Sequence, residues 1–80
     1  MRTYELMPNN GRKSFYGKAI VIVDEANQSE TLLSYGTPIV NRDKYGVLVR
    51  LWNGWSATTG RHIAAFCGLN KKEFESLALI

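Results

Sequence analysis

Cysteine is almost missing from this chain. Cys67 is the only one in 80 residues, so no intrachain disulfide can form and a cystine-stapled scaffold is excluded. A lone thiol fits a reducing, cytoplasmic setting. Histidine is equally scarce. His62 stands alone, and no C-x-x-C or H-x-x-x-H spacing occurs, so the three or four clustered ligands that zinc needs are not there; no metal and no cofactor are expected. Long apolar runs are missing too. None, Ala19 to Val23 included, approaches the ~18 residues of a membrane span. The first ten residues carry Arg2 and Glu5 without an apolar stretch, which does not read as a secretory signal.

A strong charge of either sign is also lacking. Ten Lys plus Arg stand against seven Asp plus Glu, a net charge of +3, with an isoelectric point near 9.2. The basic residues are scattered rather than gathered into the stripe expected of an obligate nucleic-acid binder. Arg12-Lys13 and Lys71-Lys72 are too short to make a basic tract. Length itself excludes a multi-domain enzyme. The chain reads as one domain over 1–80, and a chain this small buries only about 60% of its unfolded surface, so its core is thin.

What is present divides into three parts: an irregular arm at 1–17, a sheet at 18–55 and a helical region at 56–80. In the arm, Pro8-Asn9-Asn10-Gly11 is a cluster of turn formers, an extended piece at Arg2 to Leu6 can pair with the sheet, and 14–17 leads into it. Lys18 to Glu25, β-branched from Ile20 to Val23, is the clearest strand, apolar enough for cover on both faces. After a turn at Ala26–Ser29, Glu30 to Tyr35 alternates, with Leu32 and Ser34 on one face and Leu33 and Tyr35 on the other. Pro38 requires a strand start, an edge or a bulge. A polar loop at 41–46 precedes a strand from Val47 to Trp52, and Asn53-Gly54 favours a turn with positive φ.

The period then changes. Ser56 is an N-cap, Thr59, Ile63, Phe66 and Cys67 share one helical face, and Gly68 supplies a left-handed end. Asn70 with Glu73 forms a capping box for a second helix that turns Phe74, Leu77 and Ala78 inward and runs to the C-terminus. The expected fold is α+β: a small antiparallel meander of three to five strands followed by two short helices packing on one sheet face.

Catalytic constellations are thin. His62 and Cys67 lie about 140° apart around a helix, too far to activate a thiolate. Asp24 and Glu25 point to opposite faces at a strand end. No catalytic residue is assigned, and the chain reads as a non-enzyme. The region between Trp52 and Ile63 carries the functional expectation instead. A first helical turn normally holds Asp or Glu; here Ala57, Thr58, Thr59 and Gly60 are followed by Arg61 and His62. Helix stability is lost at this point, about 1 kcal/mol for the glycine alone. Trp52, Trp55, Ser56, Thr58, Thr59, Arg61 and His62 are therefore the candidate partner- or anion-binding residues, with the indoles as anchors. A purely structural role for the same residues competes: Ser56 as a cap, the Trp pair as core, Gly60 as a close-approach point.

The stretches Ser34-Tyr-Gly-Thr-Pro-Ile-Val40 and Val49-Arg-Leu-Trp-Asn-Gly-Trp-Ser-Ala-Thr-Thr-Gly-Arg-His-Ile63, with Phe66, resemble a family of small uncharacterised bacterial and phage proteins. The shared pattern is S-Y-x-T-x-V, a hairpin, then S-x-T-T-x-x-H-I and a Phe. The resemblance covers Lys18 to Phe66, implies a cytoplasmic, phage- or mobile-element-related accessory protein, and puts Ser56, Thr58, Thr59 and His62 on motif positions. The first expectation is thus a protein that acts by binding another protein. The alternative is a small nucleic-acid binder placing Arg42, Lys44, Arg50 and Arg61 on phosphates with Trp or Tyr stacking. An exposed edge strand would also permit a dimer.

Overall fold

A computed structural model describes residues 1–8 and 15–80. The turn cluster at Asn9 to Gly11, the Arg12-Lys13 pair and Ser14 lie outside the described residues. Within them the chain forms an antiparallel sheet of β1 (Arg2–Glu5), β2 (Ala19–Asp24), β3 (Ser29–Ser34), β4 (Thr37–Arg42) and β5 (Leu48–Arg50), followed by α1 (Ala57–Cys67) and α2 (Lys71–Glu75). Strand order follows chain order, so the sheet is a simple meander. The expected α+β architecture is the one observed. No helix among the described residues is long and apolar enough to cross a membrane.

Register explains why consecutive apolar residues in β2 are not all core. Tyr4, Val21, Leu32, Val40 and Arg50 stand in one row across the sheet, and Thr3, Ile22, Thr31, Asn41 and Val49 in a row on the opposite face. Helices cover only the first face. Ala19, Val21 and Val23 are buried there, whereas Ile20 and Ile22 are half-buried on the other side. Full burial of each Val or Leu is worth about 1.5–3 kcal/mol, so this covered face orients the sheet. The register shifts between Leu32 and Leu33, which leaves neighbouring Ile39 and Val40 both buried. Pro38 sits beside this bulge, where a missing N–H does least harm.

Local chemistry sets the helix ends. The Thr59 N–H donates to Ser56 Oγ at 3.1 Å, and Gly68 closes α1 at φ 75° with its N–H on Ala64 O. Asn70 and Glu73 form the reciprocal capping box of α2. Phe74 of α2 is fully buried, and Thr59, His62, Ile63 and Phe66 line the buried face of α1. Cys67 is only half-buried, at the margin of that face rather than within it.

The extended piece expected at Arg2 to Leu6 does pair with the sheet, as its edge strand β1. Three other local expectations change. The strand expected from Val47 to Trp52 is shortened to Leu48–Arg50, with one further ladder bond from the Leu51 N–H to Ile39 O at 2.8 Å. Asn53-Gly54 makes no positive-φ turn; Gly54 is needed because a Cβ would come within 2.7 Å of the Trp52 ring. The second helix does not reach the C-terminus. It stops at Glu75, and the tail runs beside β5, where the Arg50 N–H donates to Ala78 O at 2.8 Å and the Ile80 N–H to Arg50 O at 3.0 Å. The open backbone edge of β5 competes successfully with continued helix, leaving Ala78 exposed and Leu77 half-buried.

Candidate functional site

The site begins with a buried polar knot between α1 and the end of β3. Ser34 is the last residue of β3, on the covered face. Its Oγ lies 2.9 Å from Thr59 Oγ1 and 2.8 Å from His62 Nδ1, hydrogen-bonded to both. Thr59 and His62 are three apart on the helix, so both side chains reach the same point. Exposures of 3% for Ser34, 5% for Thr59 and 1% for His62 mean that removing any partner would orphan a buried polar group at about 1–3 kcal/mol. Burial, reinforced by the Arg61 charge, holds the His62 pKa below its usual value of 6.5. The ring is therefore neutral at pH 7. Ser34 does not reach the adjoining cavity, and its contact with His62 fastens helix to sheet rather than presenting a nucleophile.

Above this knot opens a cavity of about 230 Å³. Phe15, Tyr16 and Tyr35 form its aromatic walls, Lys18 and Arg61 border it, and Thr58 and His62 complete it. Phe15 meets the His62 ring edge-on at a centroid distance of 4.5 Å, and Tyr35 lies 5.9 Å from it. Tyr16 is 80% exposed and Tyr35 59%, so both rings offer surface to a ligand.

Two matching turns hold those tyrosines. Tyr16 and Gly17 have φ of 54° and 74°, and Tyr35 and Gly36 have φ of 52° and 80°. In the second, Ser34 pairs with Thr37, which makes Tyr35-Gly36 a two-residue hairpin loop with both φ positive. In the first, the Lys18 N–H donates to Phe15 O at 3.0 Å; the Tyr35 N–H then donates to Lys18 O at 2.8 Å and joins the turns side by side. A bulky residue at positive φ is uncommon and strained. Here both such tyrosines face the same cavity. The repeated Tyr-Gly dipeptide, visible at Tyr16, Tyr35 and again at Tyr45, is the signal that would have pointed to them.

The residues expected from sequence separate into two groups. Thr58, Thr59, Arg61 and His62 gather at the cavity or directly beneath it, with Ser56 as the exposed cap of the same turn. Trp52 and Trp55 do not join them. Both are half-buried against the core, and Trp55 packs 6.0 Å from the Phe74 ring. Gly60 is where the helix admits Trp55, because a Cβ there would overlap the indole. Sequence reasoning missed Phe15, Tyr16, Lys18 and Tyr35.

The four cations of the nucleic-acid alternative are also divided. Arg42 binds Glu30 Oε1 at 2.8 Å, donates to Phe66 O at 3.1 Å and lies over the Phe66 ring. Its guanidinium holds the Glu30 pKa below the usual carboxylate value. Arg50 donates to Leu77 O at 3.0 Å and lies near the Phe74 ring. Lys44 sits over its neighbour Tyr45 in the β4–β5 loop. Arg61 alone of the four borders the cavity. Burial raises the Cys67 pKa, which makes the thiol a weak nucleophile. Among the described residues no three His, Cys, Asp or Glu side chains are grouped to hold a metal ion.

Comparison with known proteins adds a family. The model described as "Family of unknown function (DUF8033)" matches residues 4–80, and the chain belongs to that family. The match includes the segment after Phe66 as well as the Lys18-to-Phe66 stretch. No curated protein and no solved structure matches the chain.

Proposed function

Starting from that membership, we propose that the chain is a non-catalytic accessory protein that acts by binding another protein, with the cavity between the two Tyr-Gly turns as its recognition surface. The observation that carries this reading is the composition of the cavity: three aromatic rings and two cations around a satisfied, buried polar floor. Tyrosine and arginine in a concave setting are the residue types that dominate protein-binding hot spots. The anchors are thus the tyrosines rather than the tryptophans expected from sequence. A cytoplasmic, phage- or mobile-element setting belongs to the same proposal and draws on the motif resemblance.

The test is affinity capture from a bacterial cytosolic extract, comparing the wild-type chain with Tyr16→Asn/Tyr35→Asn. Asparagine tolerates positive φ, so the turns should survive. One protein retained in near-equal amount by the wild type and lost with the variant is the expected result. Equal retention by both would remove the cavity as the recognition surface.

Nucleic acid is the second reading, favoured by the exposed Tyr16 and Tyr35 rings beside Lys18 and Arg61. Against it stands the engagement of Arg42 and Arg50 within the fold, which leaves fewer cations to follow a backbone. Anisotropy of labelled single- and double-stranded oligonucleotides at two salt concentrations separates the readings, since phosphate neutralisation weakens steeply with salt. For self-association, β1 offers the open sheet edge; the outer edge of β5 is partly covered by the C-terminal tail.

A further inference from the structure

We infer that the cavity takes an aromatic side chain carried by an acidic peptide segment, so that the ring enters between Phe15, Tyr16 and Tyr35 while flanking carboxylates meet Lys18 and Arg61. This rests on the protein-binding reading above and specifies its partner.

Charge complementarity argues for the acidic segment. None of the described residues lining the cavity carries a carboxylate, and Glu5, whose carboxylate accepts the Gly17 N–H at 2.9 Å, is not among them. Two cations elsewhere have acidic partners, Arg42 with Glu30 at 2.8 Å and Arg2 with Glu25 at 3.8 Å, while Arg50 donates to Leu77 O and Lys44 rests over Tyr45. Neither Lys18 nor Arg61 has an ion-pair partner among the described residues. Lys18 Nζ instead stands 5.9 Å from the Tyr35 ring centroid, at the mouth of the cavity. Arg61 is the fifth residue of α1, and the first turn before it holds no acid that could pair with it. Bound carboxylates would give both a partner.

Shape argues for the ring. A space of about 230 Å³ suits one large side chain rather than a folded element. Its walls are ring faces and edges, which prefer offset or edge-on aromatic partners. The floor is a neutral His62 already hydrogen-bonded through Nδ1 to Ser34, so the base of the cavity is not charged at pH 7. Cations at the rim, aromatic walls and an uncharged base match a carboxylate-flanked aromatic residue better than a free phosphate, which would leave the walls unused. A phosphate backbone would need cations continued beyond the pocket, and Arg42 and Arg50 are bound elsewhere.

The experiment uses the full chain and three fluorescein-labelled peptides: a Phe flanked on each side by two Asp, the same peptide with Ala for Phe, and the same peptide with Lys for Asp. Anisotropy should show saturable binding of the first, at least tenfold weaker binding of the second and none of the third. Amide NMR shifts on titration should concentrate at Phe15, Lys18, Tyr35, Thr58 and Arg61. Lys18→Glu and Arg61→Glu should each weaken the acidic peptide about tenfold, while Lys44→Glu, away from the cavity, leaves it unchanged. Equal binding of acidic and basic peptides, or shifts confined to another face, would overturn the inference. So would a single-stranded oligothymidine that shifts the same amides at lower concentration. If no acidic peptide binds while cytosolic capture still depends on Tyr16 and Tyr35, the peptide chemistry is wrong and the protein-binding reading stands. If capture fails as well, both fall.

Discussion

The two ends of the helix–sheet interface use the same kinds of residue for opposite ends. Around Arg42 and Arg50 the guanidinium groups lie over Phe66 and Phe74, and each donates to a backbone carbonyl, Phe66 O or Leu77 O. Around Lys18 and Arg61 the neighbouring rings are Phe15, Tyr16 and Tyr35, and the cations have no ion-pair partner among the described residues. The difference lies in what the backbone offers. At the first end the C-terminal half of α1 and the tail after α2 present carbonyls to the sheet. At the second end the helix presents its N-terminal turns, which carry no spare carbonyls. Cation and aromatic close the structure where acceptors exist and leave a cavity where they do not.

The largest effect should come from breaking the closed end. Phe74→Ala removes a fully buried ring and should cost about 3–5 kcal/mol, a large share of the stability of a small domain. Urea unfolding should show the loss, and Phe66→Ala, whose ring lies under Arg42 as Phe74 lies near Arg50, should behave similarly. A midpoint within a few tenths of a molar of wild type would mean that the helices contribute little to the fold. Next comes Gly60→Ala. Helix propensity alone would make it stabilising by up to about 1 kcal/mol, but its Cβ overlaps the Trp55 indole. Net destabilisation of about 1–2 kcal/mol is expected from overpacking, and a raised melting temperature would show that Trp55 moves aside freely.

The open end should show itself through pH. His62 has a folded pKa below 6.5, chiefly from burial and then from Arg61. Below 6.5 the unfolded chain therefore binds more protons than the folded one. Stability is complete above about pH 6.5 and declines as pH falls toward the lowered folded value. Melting curves from pH 7.5 to 5 should show the decline, and His62→Asn, which can keep a bond to Ser34, should flatten it; an unchanged slope would assign the decline to other groups. The smallest effect on stability belongs to Arg61→Glu. Its melting temperature should stay near wild type or rise slightly through the helix dipole, while partner binding falls. Unfolding of this variant would move Arg61 from the proposed recognition surface into the framework.

Much of the fold was legible because it is encoded over short distances. Ser56, Gly68 and the Asn70/Glu73 pair act within one helical turn of themselves, so their identities suffice. Pro38 likewise announced a bulge or strand start through its own missing N–H. The site was legible only in part. Thr58, Thr59, Arg61 and His62 were found because they break the normal pattern of a helix start. Tyr16 and Tyr35 were missed because their proximity depends on the β2–β3 pairing of Ala19 with Ser34, which no local signal reports. The tryptophans lie apart from the cavity for a related reason: Trp55 crosses Gly60 and packs toward Phe74, contacts that no local signal reports.

By itself, then, the sequence determined the elements: the β-branched strand at Ile20–Val23, the caps of both helices, the change of period at Ser56 and, with one cysteine, the lack of an intrachain cystine. These follow from short-range sterics and hydrogen bonding, which each residue carries with it. Tertiary structure decided the rest: which face of β2 is covered, that the tail leaves α2 to pair with Arg50, that Arg42 and Arg50 are bound within the fold, and that two Tyr-Gly turns stand together over His62. Those outcomes depend on register and on competition for a limited supply of backbone acceptors, quantities that exist only once distant segments have met.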